Sequence, residues 1–123
     1  MDERERMRSV LAEKAMGWTL LVDYDDFYGY GEPSWFFLGR IQYPQSQWDP
    51  FNSWHQAGDL IEEMRAKGWE CRIDWPTNFG ASAKFSKLID FDRMRHATST
   101  GHEQTVCEAV SEAAYRALEA TDE

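Results

Sequence analysis

Residues 53–75, SWHQAGDLIEEMRAKGWECRIDW, decide the fold class. Their first part predicts a helix from about Ser53 to Lys67, with Asn52 as its N-cap and Gly68 as its stop. The expected buried stripe recurs at helical spacing and consists of Trp54, Ala57, Leu60, Ile61 and Met64. Residues 69–75 follow at once and alternate between apolar and polar types, which predicts a strand. A helix that leads directly into an alternating strand indicates a domain containing both element types.

The segments before this helix extend the pattern. A helix is predicted from about Asp2 to Met16, with a left-handed stop at Gly17, and a strand from Trp18 to Asp23. We expect the Glu- and Arg-rich face of this helix to be solvated; it contains Glu3, Arg4, Glu5, Arg6 and Arg8. Residues 35–43, WFFLGRIQY, read as one strand with bulky apolar groups on both faces. Both faces of such a strand need a cover.

The segments after residue 75 supply further strands and a last helix. A turn at 76–78 precedes strands from about Phe79 to Phe85 and from Asp90 to Thr98. Thr100 and Glu103 have the spacing of a capping box, which predicts a helix that runs to about Ala120. The order α, β, β, α, β, β, β, α predicts an α+β fold, with three helices and a mostly antiparallel sheet of four to five strands. We expect one domain over residues 1–123, arranged as a small helix–sheet–helix sandwich.

Composition excludes several functional classes. The 123 residues carry 13 Lys and Arg against 22 Asp and Glu, a net charge of −9. An acidic chain is poorly suited to sequence-independent nucleic-acid binding or to an anionic membrane surface. No signal peptide or membrane-spanning segment is expected, and two cysteines do not make a disulfide framework. A cytoplasmic protein with reduced thiols is the expectation.

Three stretches resemble a known family. LAEKAMGW (Leu11–Trp18), WDPFNSWHQAGDLIEEM (Trp48–Met64) and HATSTGHEQTVCEAVSEAAYRAL (His96–Leu118) resemble the phage ABA-sandwich domain family, in the same order along the chain. Cys107 and Arg116 match a cysteine and an arginine in that family's last helix. The resemblance implies a viral protein encoded by a bacteriophage, acting in the cytoplasm of the bacterial host. It brings no enzymatic activity and no catalytic residues.

No motif in the sequence supports catalysis, a metal or a cofactor. Asp23, Asp25 and Asp26 crowd one stretch but lack the longer ligand pattern of a calcium loop. The histidines are scattered, and Cys71 and Cys107 fall on a predicted strand and helix without zinc-ligand spacing. We therefore predict no catalytic residues, no metal and no cofactor, and structural roles for both cysteines.

Arginine and aromatic residues form the candidate ligand site. Phe79 follows the turn, next to the amide of Asn78, and would stack on a base. The guanidinium groups expected to bind phosphates belong to Arg72, Arg93, Arg95 and Arg116. Ordinary surface arginines, paired with the excess acids, are the competing interpretation.

Two functional hypotheses follow. The leading one is a non-enzymatic anti-defence protein, a homo-oligomeric sponge that sequesters a nucleotide second messenger in an inter-subunit groove. The alternative is an acidic inhibitor of a host defence protein, resembling anti-CRISPR or DNA-mimic proteins. Its contacts would come from the aromatic and acidic loop DYDDFYGYGE, which contains Asp25, Asp26, Phe27, Tyr28 and Tyr30.

Overall fold

The computed structural model describes residues 2–21, 33–78, 80–90 and 95–121. The chain forms two compact units, Met1–Asp49 and Pro50–Glu123. Among the described residues, the first unit has one α-helix and the second has two, and each unit has its own antiparallel sheet. The units are described separately below.

The first unit joins one helix to a three-stranded sheet. Helix α1 spans Glu3–Val10, and a π-helical turn, Leu11–Ala15, extends it. The α1 N-cap is Asp2, whose Oδ1 accepts a hydrogen bond from the Glu5 backbone N–H at 2.8 Å. The strands are β1 (Thr19–Leu21), β2 (Ser34–Phe37) and β3 (Arg40–Pro44), in the order β1-β2-β3, and a 3₁₀ turn at Gln45–Gln47 follows. The expected helix over residues 2–16 and its left-handed stop at Gly17 are confirmed.

The predicted strand from Trp35 to Tyr43 is wrong in one respect, because it is a hairpin. Phe37 pairs with Arg40, so only Leu38 and Gly39 form the loop between β2 and β3. Both loop residues have positive φ, 50° and 81°, which is the conformation that a two-residue hairpin turn requires. Leucine is rare in that conformation, so the sequence carried no strong turn signal. The paired strands explain why apolar residues recur on both sides of this segment.

The second unit contains the longer sheet. Helix α2 spans Trp54–Ala66, and strands β4 (Glu70–Thr77), β5 (Gly80–Asp90) and β6 (Arg95–Glu103) pair antiparallel in that order. Helix α3 spans Val106–Thr121. The N-cap of α2 is Ser53, not Asn52 as predicted, because the Ser53 hydroxyl accepts a hydrogen bond from the Gln56 N–H.

Small side chains allow α3 to lie close against β5 and β6. Ala109, Ala113 and Ala117 are almost fully buried, and so are Ala83 and Phe85 of β5. The Ser99 hydroxyl of β6 donates to the carbonyl of Ala113 at 2.6 Å. The opposite face of the sheet has a different character, with exposed Glu70, Arg72, Asp74, Lys84 and His102. Among the described residues of this unit, no helix covers that polar face.

The α+β class and the three helices are confirmed for the described residues, with every strand pair antiparallel. The expected sheet of four to five strands is not confirmed. Six strands instead form two separate three-stranded sheets. The helix–sheet–helix arrangement stays a prediction. No helix in the described part of the chain has the length and apolarity to span a lipid bilayer.

The predicted capping box at Thr100 and Glu103 is also wrong. Thr100 and Glu103 lie in β6, and α3 begins only at Val106. The residues that cap α3 are Thr105 and Glu108. The Thr105 hydroxyl accepts from the Glu108 N–H at 3.2 Å and donates to the Glu108 carboxylate at 2.9 Å. Two threonines precede acids at the same spacing, and only the tertiary pairing of Ser99 and Gly101 with β5 decides between them.

Thr105→Ala is expected to lower the free energy of unfolding by about 1 kcal/mol, because it removes the side-chain acceptor at the α3 N-terminus. Thr98→Ala, at an exposed position of β6, serves as the control and should change stability by less than about 0.5 kcal/mol. Urea unfolding followed by circular dichroism measures both values. Equal losses of stability in the two variants would show that Thr105 does not cap α3.

Candidate functional site

A polar cleft in the first unit is the best-formed candidate site among the described residues. Its volume is about 370 Å³, within the range of roughly 300–1,000 Å³ typical of small-molecule sites. Helix α1, strand β2 and the segment after β3 supply its walls. The lining residues are Glu5, Arg8, Ser9, Trp35, Gln45, Ser46 and Trp48.

The frame of this cleft is held by aromatic packing. Trp48 is almost fully buried and lies 4.8 Å from Trp18, ring centre to ring centre, in an edge-to-face arrangement. Tyr43 completes the cluster, with ring centres 5.8 Å from Trp18 and 5.9 Å from Trp48. The Trp48 indole N–H donates to the carbonyl of Arg8 at 2.9 Å, which ties α1 to the segment after β3. The cleft therefore has rigid walls even though its residues come from distant parts of the sequence.

Arg8 is the cationic group of the cleft. Its guanidinium makes a long ion pair with Asp49, 4.0 Å from Nη1 to Oδ2, and both side chains are about one quarter exposed. An ion pair at that distance, partly exposed to water, contributes little to the free energy of folding. A phosphate or carboxylate that enters the cleft offers the same guanidinium a shorter, charge-assisted hydrogen bond.

Trp35 contributes a buried donor without an acceptor. The ring is 1% exposed, and its Nε1 has no hydrogen-bond partner in the described part of the protein. A buried N–H left unpaired costs about 1–3 kcal/mol, and such groups are uncommon in folded proteins. Trp35 also lines the cleft.

The structure does not bring the predicted ligand arginines Arg72 and Arg116 together. Arg72 lies in the edge strand β4, on the polar face, 79% exposed, with its Nε 3.6 Å from Asp74 Oδ1. Arg116 projects from α3, which packs on the other face. Its guanidinium donates to the carbonyl of Thr100 in the opposite edge strand at 2.8 Å and pairs with Glu112. Arg116 therefore connects α3 to β6 in this unit.

The other members of the predicted sites are described in part or not at all. Asn78 is exposed in the turn after β4, and Arg95 is the first residue of β6. Phe79 and Arg93 lie outside the described residues. The same holds for every residue of the alternative partner-binding set, Asp25, Asp26, Phe27, Tyr28 and Tyr30. Both sets remain predictions.

Two exposed tryptophans lie in the second unit. Trp54, predicted to be in the buried stripe of α2, is 71% exposed, and Trp75 of β4 is 64% exposed. Ile73 on the same strand face as Trp75 is 40% exposed. The buried residues of α2 are Gln56, Ala57, Leu60 and Met64, and Trp54 is not among them. Indole groups at this exposure are typical of contact surfaces rather than of a core.

The environments of Cys71 and Cys107 favour structural roles over reactive ones. Burial raises the pKa of the Cys71 thiol to about 11. Burial also raises the pKa of Cys107, reinforced by the charge of Glu108 and opposed by a backbone hydrogen bond. A thiol of raised pKa holds little thiolate near neutral pH, so neither group is activated as a nucleophile.

Sequence reasoning missed the cleft residues. Glu5 and Arg8 stood on a helix face expected to be solvated, and Trp35 counted as one of many apolar strand residues. Nothing in the local pattern distinguishes Arg8 from Arg4 or Arg6. The cleft exists because α1 lies close to β2 and to the segment after β3, and neither periodicity nor residue spacing in the sequence predicts that approach.

Comparisons with known proteins do not identify a relative: no protein-family model matches the chain, and no curated protein or solved structure matches it significantly. The similarity to the phage ABA-sandwich family therefore stays a prediction from the quoted stretches. The functional argument rests on the site itself.

Proposed function

We propose that this protein captures a small nucleotide stoichiometrically and does not transform it, as an anti-defence sponge does. The observation that carries the proposal is the cleft in the first unit, which is lined by a guanidinium, two hydroxyls, an amide and two indole rings. Phosphate and sugar groups are rich in the acceptors that such donors bind.

The place of capture differs from the one that the sequence suggested. Within one chain, Arg72 and Arg116 lie at opposite edges of the second sheet, and Arg116 is engaged with Thr100 and Glu112. The cleft offers a guanidinium, Arg8, whose existing ion pair is long. The inter-subunit groove and the homo-oligomer remain part of the proposal, to be tested by the mass of the protein in solution.

Isothermal titration calorimetry against a panel of nucleotides, including ADP-ribose and cyclic dinucleotides, tests the proposal. We expect one ligand class to bind with a stoichiometry fixed per chain, and mass spectrometry to recover that ligand unchanged. At a hundredfold excess over Kd, the bound ligand should stabilise the fold by about 2.7 kcal/mol. Product that accumulates beyond one equivalent per chain would contradict a non-enzymatic role.

Arg8→Gln is expected to weaken nucleotide binding by about 10- to 150-fold, because a hydrogen bond to a charged group contributes about 1.5–3 kcal/mol. The melting temperature of the free protein should change little, since the pair with Asp49 is long and partly exposed. Arg40→Gln is the matched control, because Arg40 is exposed on β3 of the same unit and does not line the cleft. If the two variants bind the nucleotide with equal affinity, Arg8 does not contact the ligand.

The alternative function, an acidic inhibitor of a host defence protein, has one supporting observation. Trp54 and Trp75 are exposed on a chain of net charge −9, which suits a partner with a basic rim around an apolar centre. Trp54→Ala with Trp75→Ala distinguishes the two functions. The double variant should abolish binding to a purified host effector under the alternative, and should leave nucleotide binding unchanged under the sponge function.

A further inference from the structure

We propose that the cleft recognises a ribose phosphate through two side chains of α1: Arg8 binds the phosphate, and Glu5 accepts hydrogen bonds from the ribose hydroxyls. This inference rests on the proposed function and names the ligand chemistry of the same cleft. It also assigns separate tasks to the two charged residues.

Helix geometry places the two charges side by side. Glu5 and Arg8 are three residues apart, so their side chains lie on the same face, with Cβ atoms about 5–6 Å apart. Both line the cleft. The base of each side chain is fixed, because the Glu5 backbone N–H is bound by Asp2 and the Arg8 carbonyl by Trp48. The charged ends therefore meet the ligand from a helix that is anchored at both positions.

The carboxylate restricts what the cleft can hold. A ligand that is only anionic would be repelled by Glu5, and a ligand that is only cationic would be repelled by Arg8. A sugar phosphate carries both features that the pair requires, an anionic group for the guanidinium and hydroxyl donors for the carboxylate. Proteins that bind dinucleotides use an acidic side chain on the ribose hydroxyls in the same way.

The remaining lining groups fit the same ligand. Ser9 offers a hydroxyl and Gln45 an amide, each able to donate to a sugar or phosphate oxygen. A ribose phosphate carries acceptor oxygens for these donors and for the Arg8 guanidinium, and hydroxyl donors for the Glu5 carboxylate.

Calorimetry with AMP, 2′-deoxy-AMP and adenosine separates the two assignments. The wild-type protein should bind AMP at least about tenfold more tightly than either analogue, because each analogue lacks one of the recognised groups. Glu5→Ala should reduce the preference for AMP over 2′-deoxy-AMP to less than about twofold and keep the preference over adenosine. Arg8→Gln should do the reverse.

Glu3→Ala is the matched control, since Glu3 is exposed in the same helical turn and does not line the cleft. It should keep both preferences. If Glu5→Ala disturbs the fold by circular dichroism, Glu5→Gln replaces it, because glutamine is equally suited to this helix position. AMP binding with preferences that neither substitution alters would overturn the assignment and leave the proposed function standing. Failure of every panel nucleotide to bind the wild-type chain would overturn both.

Discussion

Gly101→Ala is expected to cost the protein about 3 kcal/mol or more of folding free energy. A Cβ at residue 101 would stand 2.3 Å from the carbonyl oxygen of Ala109 and 2.9 Å from the backbone nitrogen of Ala113. Both atoms belong to the backbone of α3, so no side chain can rotate away, and the helix has to move off the sheet. Overpacking in a core costs about 1–3 kcal/mol when neighbours adjust, and more when they cannot. Urea unfolding followed by circular dichroism at 222 nm measures the loss.

Gly58→Ala provides the matched control for this substitution. Gly58 is exposed in the middle of α2, and a Cβ there meets nothing within 4 Å. Alanine in a helix interior is more favourable than glycine by about 0.5–1 kcal/mol, so this variant should gain stability. The same chemical change is therefore expected to have opposite signs at two positions. A loss at Gly58 as large as at Gly101 would contradict the close approach of α3 to β6.

Trp48→Ala should have an effect of similar size in the first unit. The side chain is 1% exposed and packs against Trp18 and Tyr43. Removing a buried tryptophan leaves a cavity and costs about 3–5 kcal/mol. The substitution also removes the donor to the Arg8 carbonyl, so nucleotide binding in the cleft should fall with stability.

Trp48→Phe separates the two consequences. Phenylalanine keeps most of the ring contacts and lacks the N–H donor, so we expect a smaller loss of about 1–2 kcal/mol. Trp54→Ala, with a 71% exposed ring, should change stability by less than about 0.5 kcal/mol. Equal losses at residues 48 and 54 would show that the exposed ring is part of a core.

The local elements of this fold were predictable where a residue type imposes its own conformation. Gly17 and Gly68 end their helices with φ of +74° and +96°, as their positions after periodic segments predicted. The alternation in WECRIDW predicted β4 within two residues of its observed bounds. These signals are carried by neighbours in sequence and need no tertiary information.

The remaining features depend on contacts across the chain. Leu38 accepts a positive φ only because β2 and β3 pair around it, and the choice of Thr105 over Thr100 as a cap follows from the pairing of β6 with β5. The cleft shows the same limit. Arg8 differs from Arg4 and Arg6 only in lying beside Trp35 and Trp48, which are 27 and 40 residues away in the sequence.

The contact between Arg116 and the Thr100 carbonyl also bears on the exposed border of the second sheet. Strand β6 forms one border of its sheet, and bare borders recruit strands from other molecules. The Arg116 guanidinium donates to a backbone carbonyl of this border strand and places a charge next to it. At the other border, β4 contains Pro76, which offers no backbone donor. Each border of this sheet therefore carries a feature that disfavours pairing with a strand of another molecule.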